Sequence, residues 1–274
     1  MALARLRESS RLRHSLALWS FVGLVTSEGF AIPVALLHGS DSVVPAAAAT
    51  LVWWLLVTVV VVGGAAMLTT PDGVSVDRYG VPNGLTAIRA WFCVPLLVLA
   101  TLSLPGRLPL ALWGGVGGAV GLLDGVDGFI ARRWGRVTAL GKALDPFMDS
   151  LFFTAGAVGS YFLGILPLWL AALIGFRYFA PVLGTPFVFL AKRRPELVHT
   201  VWGRRNTILI GVTFFALYWV RLAGGPVWLA ALIIGLPALV PTMLLHFIAL
   251  GRRVAASPVV GRGPVRPAAS QPPG

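Results

Sequence analysis

From Val43 to Thr69 the chain carries no charged side chain, a run longer than the roughly 20 apolar residues that cross the hydrocarbon core of a bilayer. Inside lipid the backbone must satisfy its own hydrogen bonds, so a chain built of such runs folds as helices. Apolar windows recur at approximately 15–37, 43–69, 84–104, 109–131, 143–164, 166–190, 207–222 and 226–250. Overall, 57% of residues are hydrophobic and 12% charged, with a mean hydropathy of +0.84. Too little polar surface is left for a soluble domain of this size. The predicted fold class is an all-α integral membrane protein of eight spans.

The net charge of +12 sits in short runs between apolar segments. That placement fits loops that meet anionic lipid headgroups and argues against a nucleic-acid partner. Arg5, Arg7, Arg11 and Arg13 precede the first span; Arg132, Arg133, Arg136 and Lys142 fall between the fourth and fifth. Lys192, Arg193, Arg194, Arg204 and Arg205 fall between the sixth and seventh, and Arg252 and Arg253 follow the eighth. Eight crossings put all of these on one side, which the positive-inside rule makes cytoplasmic, together with both termini. Pro105-Gly106, Leu166-Pro167 and Gly224-Gly225-Pro226 mark short turns. The N-terminus has the basic start and apolar core of a signal peptide, but Glu28 and the lack of a small-x-small site favour a retained first helix. Cys93 is the lone cysteine, which excludes an intramolecular disulfide and reads as a packing residue.

Against this apolar background, Asp124, Asp127, Asp145 and Asp149 raise a problem of charge. The first two are three residues apart and the second two four apart, so each pair shares a helix face. A short connection would make the fourth and fifth spans antiparallel neighbours, with the four carboxylates converging near the cytoplasmic boundary. One resolution is protonation, or neutralisation by Arg132, Arg133 and Lys142. The other is divalent cations, for which these hard oxygen ligands suit Mg²⁺ or Mn²⁺. Gly114, Gly117, Gly121, Gly125 and Gly128 form a small-residue stripe that runs into the Asp face, a pattern of close helix packing that also leaves room beside the carboxylates.

Written as a pattern, Asp124-x2-Asp127-Gly128-x2-Ala131-Arg132-x8-Gly141-x3-Asp145-x3-Asp149 resembles the signature of the CDP-alcohol phosphatidyltransferases at eight fixed positions. Pro82-Asn83-Gly84-Leu85-Thr86-Ala87-Ile88-Arg89 is similar to the opening of the family's phosphatidylglycerophosphate synthase branch. The resemblance covers about residues 78 to 253. It implies a six-helix core preceded by two additional N-terminal spans, and hence a 1–70 extension and a 71–253 family domain; residues 254–274, rich in Pro, Gly and Ala, are expected to form a disordered tail. It also implies two metal ions, Mg²⁺ or Mn²⁺, held by Asp124, Asp127, Asp145 and Asp149, with Asp149 also the general base. Asn83, Thr86, Gly128, Ala131, Arg132 and Gly141 would line the CDP site. The implied reaction moves a phosphatidyl group from CDP-diacylglycerol to an alcohol and releases CMP at the cytoplasmic membrane face. The family commonly forms homodimers, which is expected here on resemblance alone.

An acceptor bearing its own phosphate would need basic partners. Arg177, inside the sixth span, is a candidate anion ligand, with snorkelling or pairing to Glu28 as its other reading. Gly203-Arg204-Arg205-Asn206-Thr207 resembles a glycine–lysine–x–lysine–threonine element of the same branch, with Arg at the first lysine and Asn at the second. Arg204 and Arg205 are thus candidate acceptor ligands, and the departures leave glycerol 3-phosphate as one polyol phosphate among several. A rival class is a divalent-cation or proton-coupled transporter using the Asp cluster; it has no need of Gly128, Ala131 and Arg132 at fixed offsets.

Overall fold

The computed structural model describes residues 2–70, 72–133, 138–191 and 200–257, without the side chains of Leu3, Asp124, Asp127, Ala131, Arg132, Thr185 and Phe189. The expected loop cations Arg136, Lys192, Arg193 and Arg194, and the tail from residue 258, lie outside the described residues. A short helix α1 (Ala2–Glu8) leads into α2 (Ser10–His38) and α3 (Val43–Gly63). Then come α4 (Val81–Trp91), α5 (Cys93–Thr101), α6 (Leu108–Leu112), α7 (Gly118–Arg133), α8 (Ala139–Phe162) and α9 (Leu168–Leu190). The last three are α10 (Val201–Leu222), α11 (Val227–Ala230) and α12 (Leu236–Ala256). π-helical turns at Trp113–Gly117 and Ala231–Gly235 join α6 to α7 and α11 to α12. Among the described residues the one β pairing is an isolated bridge between Thr69 and Ser75.

Helix starts follow local chemistry. Ser9, Thr138 and Thr200 each accept a backbone N–H with their side chains, capping α2, α8 and α10. The joint at Phe92 between α4 and α5 follows from Pro95, which supplies no N–H to the Trp91 carbonyl and crowds it. Gly106 and Gly224 sit at two of the expected turns with φ of 61° and 76°, a conformation that glycine adopts without steric cost. Two expected boundaries move furthest: α10 starts at Val201 rather than 207, because Thr200 caps it, and α12 continues three residues past Arg253, to Ala256.

Among the described residues, six helical segments are long and apolar enough to cross a membrane: Ser10–His38, Ser40–Met67, Val81–Thr101, Leu108–Ile130, Leu168–Val188 and Val227–Ala256. The chain is an all-helical membrane protein. In the Val81–Thr101 segment 67% of the apolar window is buried in protein, against 18–29% in the other five. The α4–α5 rod is therefore the hub. One core joins Leu12, Leu16, Val57 and Val61 of the N-terminal pair to Tyr79, Ala87 and Trp91 and to Leu140, Leu144 and Met148 of α8. The other gathers α5, α9, α10 and the distal half of α8 around Leu99, Ala157, Leu170, Ile174 and Leu217. Since lipid tails are as apolar as leucine, these contacts act through close packing more than through removal from water.

Candidate active site

The site is a ladder between two helices. On α4, Asn83, Thr86 and Arg89 recur every three residues and so share a face, and all are buried. On α8, Gly141, Asp145 and Asp149 recur every four. The Thr86 hydroxyl donates to Asp145 Oδ1 at 3.3 Å, and Arg89 Nη1 donates to Asp149 Oδ1 at 2.6 Å in an ion pair. At the first rung a Cβ added at Gly141 would stand 3.0 Å from Asn83 Oδ1, so a side chain there would push the amide back by a few tenths of an ångström. Each step forward on α4 meets a step forward on α8. The two helices therefore run parallel, with their N-termini at the same end.

Local chemistry sets each rung. Pro82 occupies the first turn of α4, where its missing N–H costs nothing. Asn83 Nδ2 donates to the Tyr79 carbonyl at 2.6 Å. Thr138 Oγ1 accepts the Gly141 N–H at 3.1 Å. Pro146, beside Asp145, supplies no N–H to the Lys142 carbonyl and loosens the helix at that turn. Burial foremost, and the Asp145 carboxylate second, hold the Tyr79 phenol above its ordinary pKa, so it stays protonated.

The third helix, α7, packs on α4. α4 is the common neighbour of α7 and α8, and α7 also reaches α8 at Gly121, where a Cβ would touch Phe152. The glycine stripe of this region divides. A Cβ at Gly114 would meet the Tyr218 ring; one at Gly117 would lie 3.7 Å from Leu96, and one at Gly121 3.5 Å from Phe152. Around a Cβ at Gly125 none of the described residues lies within 4 Å. Gly128 is half-buried. Asp124, Asp127, Ala131 and Arg132 belong to α7 by backbone, and their side chains lie outside the described residues.

Arg177 lies deep in α9, 8% exposed. Its Nε donates to Asn206 Oδ1 at 3.2 Å, its Nη2 reaches the Gly203 carbonyl at 3.5 Å, and its guanidinium lies 4.9 Å from the Tyr178 ring centre. Glu28, suggested as its partner, is elsewhere: both carboxylate oxygens are buried without a hydrogen-bond partner among the described residues. Asn206 also donates to Leu239 O and Thr242 Oγ1, which accounts for a compact amide where the resembling element has lysine. Thr200 Oγ1 lies 2.6 Å from His246 Nδ1. Arg204 and Arg205 are exposed and line a cavity of about 220 Å³ with Thr200, Val201 and Ile208. Arg205 rests 5.1 Å from the Trp202 ring centre.

The structure thus brings Asn83, Thr86, Gly141, Asp145 and Asp149 together, and Arg177 joins a separate polar network. Ser150, next to Asp149, donates to the carbonyl of Tyr178, next to Arg177, so the network backs onto the ladder. Sequence reasoning missed Arg89 as a site residue, although the PNGLTAIR stretch contained it. Among the described residues no three potential metal ligands stand together; Asp145 and Asp149 are the described carboxylates at the site. Their donor set, oxygen alone, fits hard divalent cations such as Mg²⁺ or Mn²⁺.

A family model described as CDP-alcohol phosphatidyltransferase matches residues 79–251. A "Probable phosphatidylglycerophosphate synthase" of Mycobacterium tuberculosis is 28% identical over 45% of this chain and 56% of its own. A "CDP-diacylglycerol--glycerol-3-phosphate 3-phosphatidyltransferase" of Aquifex aeolicus is 29% identical over 35% of this chain and 53% of its own. A "Cardiolipin synthase (CMP-forming)" of Streptomyces coelicolor is 43% identical over 20% of this chain and 25% of its own. The chain spans about half the length of the first two of these relatives and a quarter of the third. No solved structure matches it.

Proposed function

The chain belongs to the CDP-alcohol phosphatidyltransferase family, and we propose that it transfers the phosphatidyl group of CDP-diacylglycerol to a polyol phosphate such as glycerol 3-phosphate. The observation that carries this reading is the ladder, because it joins the PNGLTAIR stretch to the aspartates of α8 through Thr86–Asp145 and Arg89–Asp149. The relatives' printed names support the acceptor.

In this reading Asp124, Asp127, Asp145 and Asp149 hold two divalent cations, which when bound supply positive charge against the pyrophosphate. Asn83, Thr86, Gly128, Ala131, Arg132 and Gly141 line the CDP site. Asp149 accepts the proton of the acceptor hydroxyl, while Arg89 keeps that carboxylate turned toward the site. The acceptor oxygen bonds to the phosphorus that carries diacylglycerol, the bridging P–O bond breaks, and CMP leaves with the electron pair. Arg177, with Arg204 and Arg205, receives the acceptor's phosphate.

We place α8 and α10 in the membrane as well, giving eight spans. At 1.5 Å per residue, helices of 24 and 22 residues reach about 36 and 33 Å, enough for a hydrocarbon core of about 30 Å. Their charged and polar residues are what lower their apolarity. The parallel course of α4 and α8 supports this arrangement, since the α6–α7 rod returns the chain between them. Both termini and the site are then cytoplasmic. Residues 1–70 form an extension, 71–253 the family domain and 254–274 a tail, and the protein pairs as a homodimer.

The test is CMP release from CDP-diacylglycerol by membranes that contain the protein, with glycerol 3-phosphate, inositol phosphate, inositol and serine as acceptors. Release should require Mg²⁺ or Mn²⁺ and stop on chelation. Asp149→Asn should abolish it and leave CDP-lipid binding largely intact. No CMP with any acceptor would sink the proposal.

A further inference from the structure

We infer that the N-terminal helix pair is the positioning element of the candidate site, and that the contact of Trp19 with Gly84 sets where α4 stands against α8. The inference rests on the proposed transferase reading and gives the extension a task that no signature residue assigns to it.

α4 presents the ladder to α8 and a second face to α2. On that second face the indole of Trp19 fills the notch at Gly84, and the indole of Trp91, wholly buried, lies against Gly23. Each helix thus offers the other one tryptophan and one glycine, two points that fix both depth and rotation. From α3, Trp53 Nε1 donates to the Ala90 carbonyl at 2.7 Å, one residue beyond Arg89. Trp54 Nε1 donates to the Ser20 carbonyl at 2.8 Å and ties α3 to α2 beside Trp19.

Two further links reach the rungs themselves. Ser15 Oγ of α2 accepts the Tyr79 N–H at 2.9 Å, and the Tyr79 carbonyl accepts Asn83 Nδ2. The Arg5 guanidinium of α1 donates to the carbonyls of Ala65, Leu68 and Val76. It thereby holds the connector whose Thr69 carbonyl accepts the Ala139 N–H, at the first residue of α8. The extension therefore grips the start of both ladder helices.

The contact at Gly84 has little tolerance. A Cβ there would stand 2.5 Å from Trp19 Cε3, where carbon pairs rest at about 3.5–4.0 Å. α4 or the indole must yield by about 1 Å, and a misplacement of that size can cost about 100-fold in rate. Trp19 and Gly84 touch no reacting atom; they are positioning residues that act through α4.

The experiment is a size-complementation series on the full chain: Gly84→Ala, Trp19→Ala, and the two together. Melting midpoints in detergent are recorded for each, and CMP release is measured at a temperature where all are folded. Gly84→Ala should lower kcat by about 100-fold with KM for CDP-diacylglycerol within about threefold. Trp19→Ala alone should cost about three- to tenfold, and the double variant should match Trp19→Ala alone. If Gly84→Ala does not accumulate as folded protein, adding Trp19→Ala must restore it; a double variant that also fails overturns the inference. A Gly84→Ala loss that is equal with and without the indole overturns it too, since the glycine would then serve a ligand directly. A wild-type chain that releases no CMP with any acceptor removes the transferase reading, and this inference with it, whereas an active wild type with the wrong variant pattern removes this inference alone.

Discussion

Replacing Arg89 with methionine would leave the Asp149 carboxylate facing an apolar chain. Arg89 is 1% exposed and the Asp149 side chain 21%, so the pair is buried on one side and partly wetted on the other. Removing one partner of a buried pair costs about 3–5 kcal/mol. The partial exposure of Asp149 puts this case near about 3 kcal/mol, a factor of about 100 in the folding equilibrium. Unfolding in detergent with a chelator present, followed by tryptophan fluorescence, measures that loss. Arg89→Met with Asp149→Leu should recover most of it, because an apolar pair of similar volume replaces a buried ion pair at little cost. All three variants should release no CMP. If the two substitutions destabilise additively, the ion pair does not couple α4 to α8 and the reasoning fails.

Gly141→Ala would drive its methyl against Asn83 Oδ1, at 3.0 Å before relaxation, and turn the amide from Tyr79. Losing one hydrogen bond of about 1 kcal/mol should raise KM for CDP-diacylglycerol about fivefold, read from initial rates against CDP-lipid concentration. Arg177→Gln removes the guanidinium that meets Asn206 and Gly203. KM for glycerol 3-phosphate should rise about 10- to 100-fold, the worth of a charge-assisted bond, with KM for CDP-diacylglycerol unchanged. An unchanged acceptor KM would assign Arg177 to Asn206 and Gly203 as a structural tie.

Which parts of this were legible in the residues follows from range. Helical segments stand at all eight predicted places, because apolar runs, proline and paired glycines act locally. Asp145 and Asp149 could be set on one face from spacing alone, and so could Asn83 and Thr86. Arg89 was not recognised as a site residue because its partner is 60 positions away, and periodicity says nothing about which helix stands opposite. The same blindness hid α4 as the helix that lies against both α7 and α8. Trp19 and Gly84 are beyond pattern reading altogether: an indole in a glycine notch leaves no mark on either helix taken singly. Asn206, odd as a substitute for lysine, becomes intelligible once its three partners are seen.

The order in which the ladder's parts are made differs from the order in which they act. At a synthesis rate of about 5–20 residues per second, Arg89 leaves the ribosome about 3–12 s before Asp149. At the start of that interval the neighbours of α4 divide in two: α2 and α3 already exist, while α7 and α8 do not. Trp91 can find Gly23, and Trp53 the Ala90 carbonyl, before Arg89 has a carboxylate to meet. An arginine entering a bilayer costs about 2.5–3.5 kcal/mol at the centre of a span. The helix that carries it arrives beside two that can receive it.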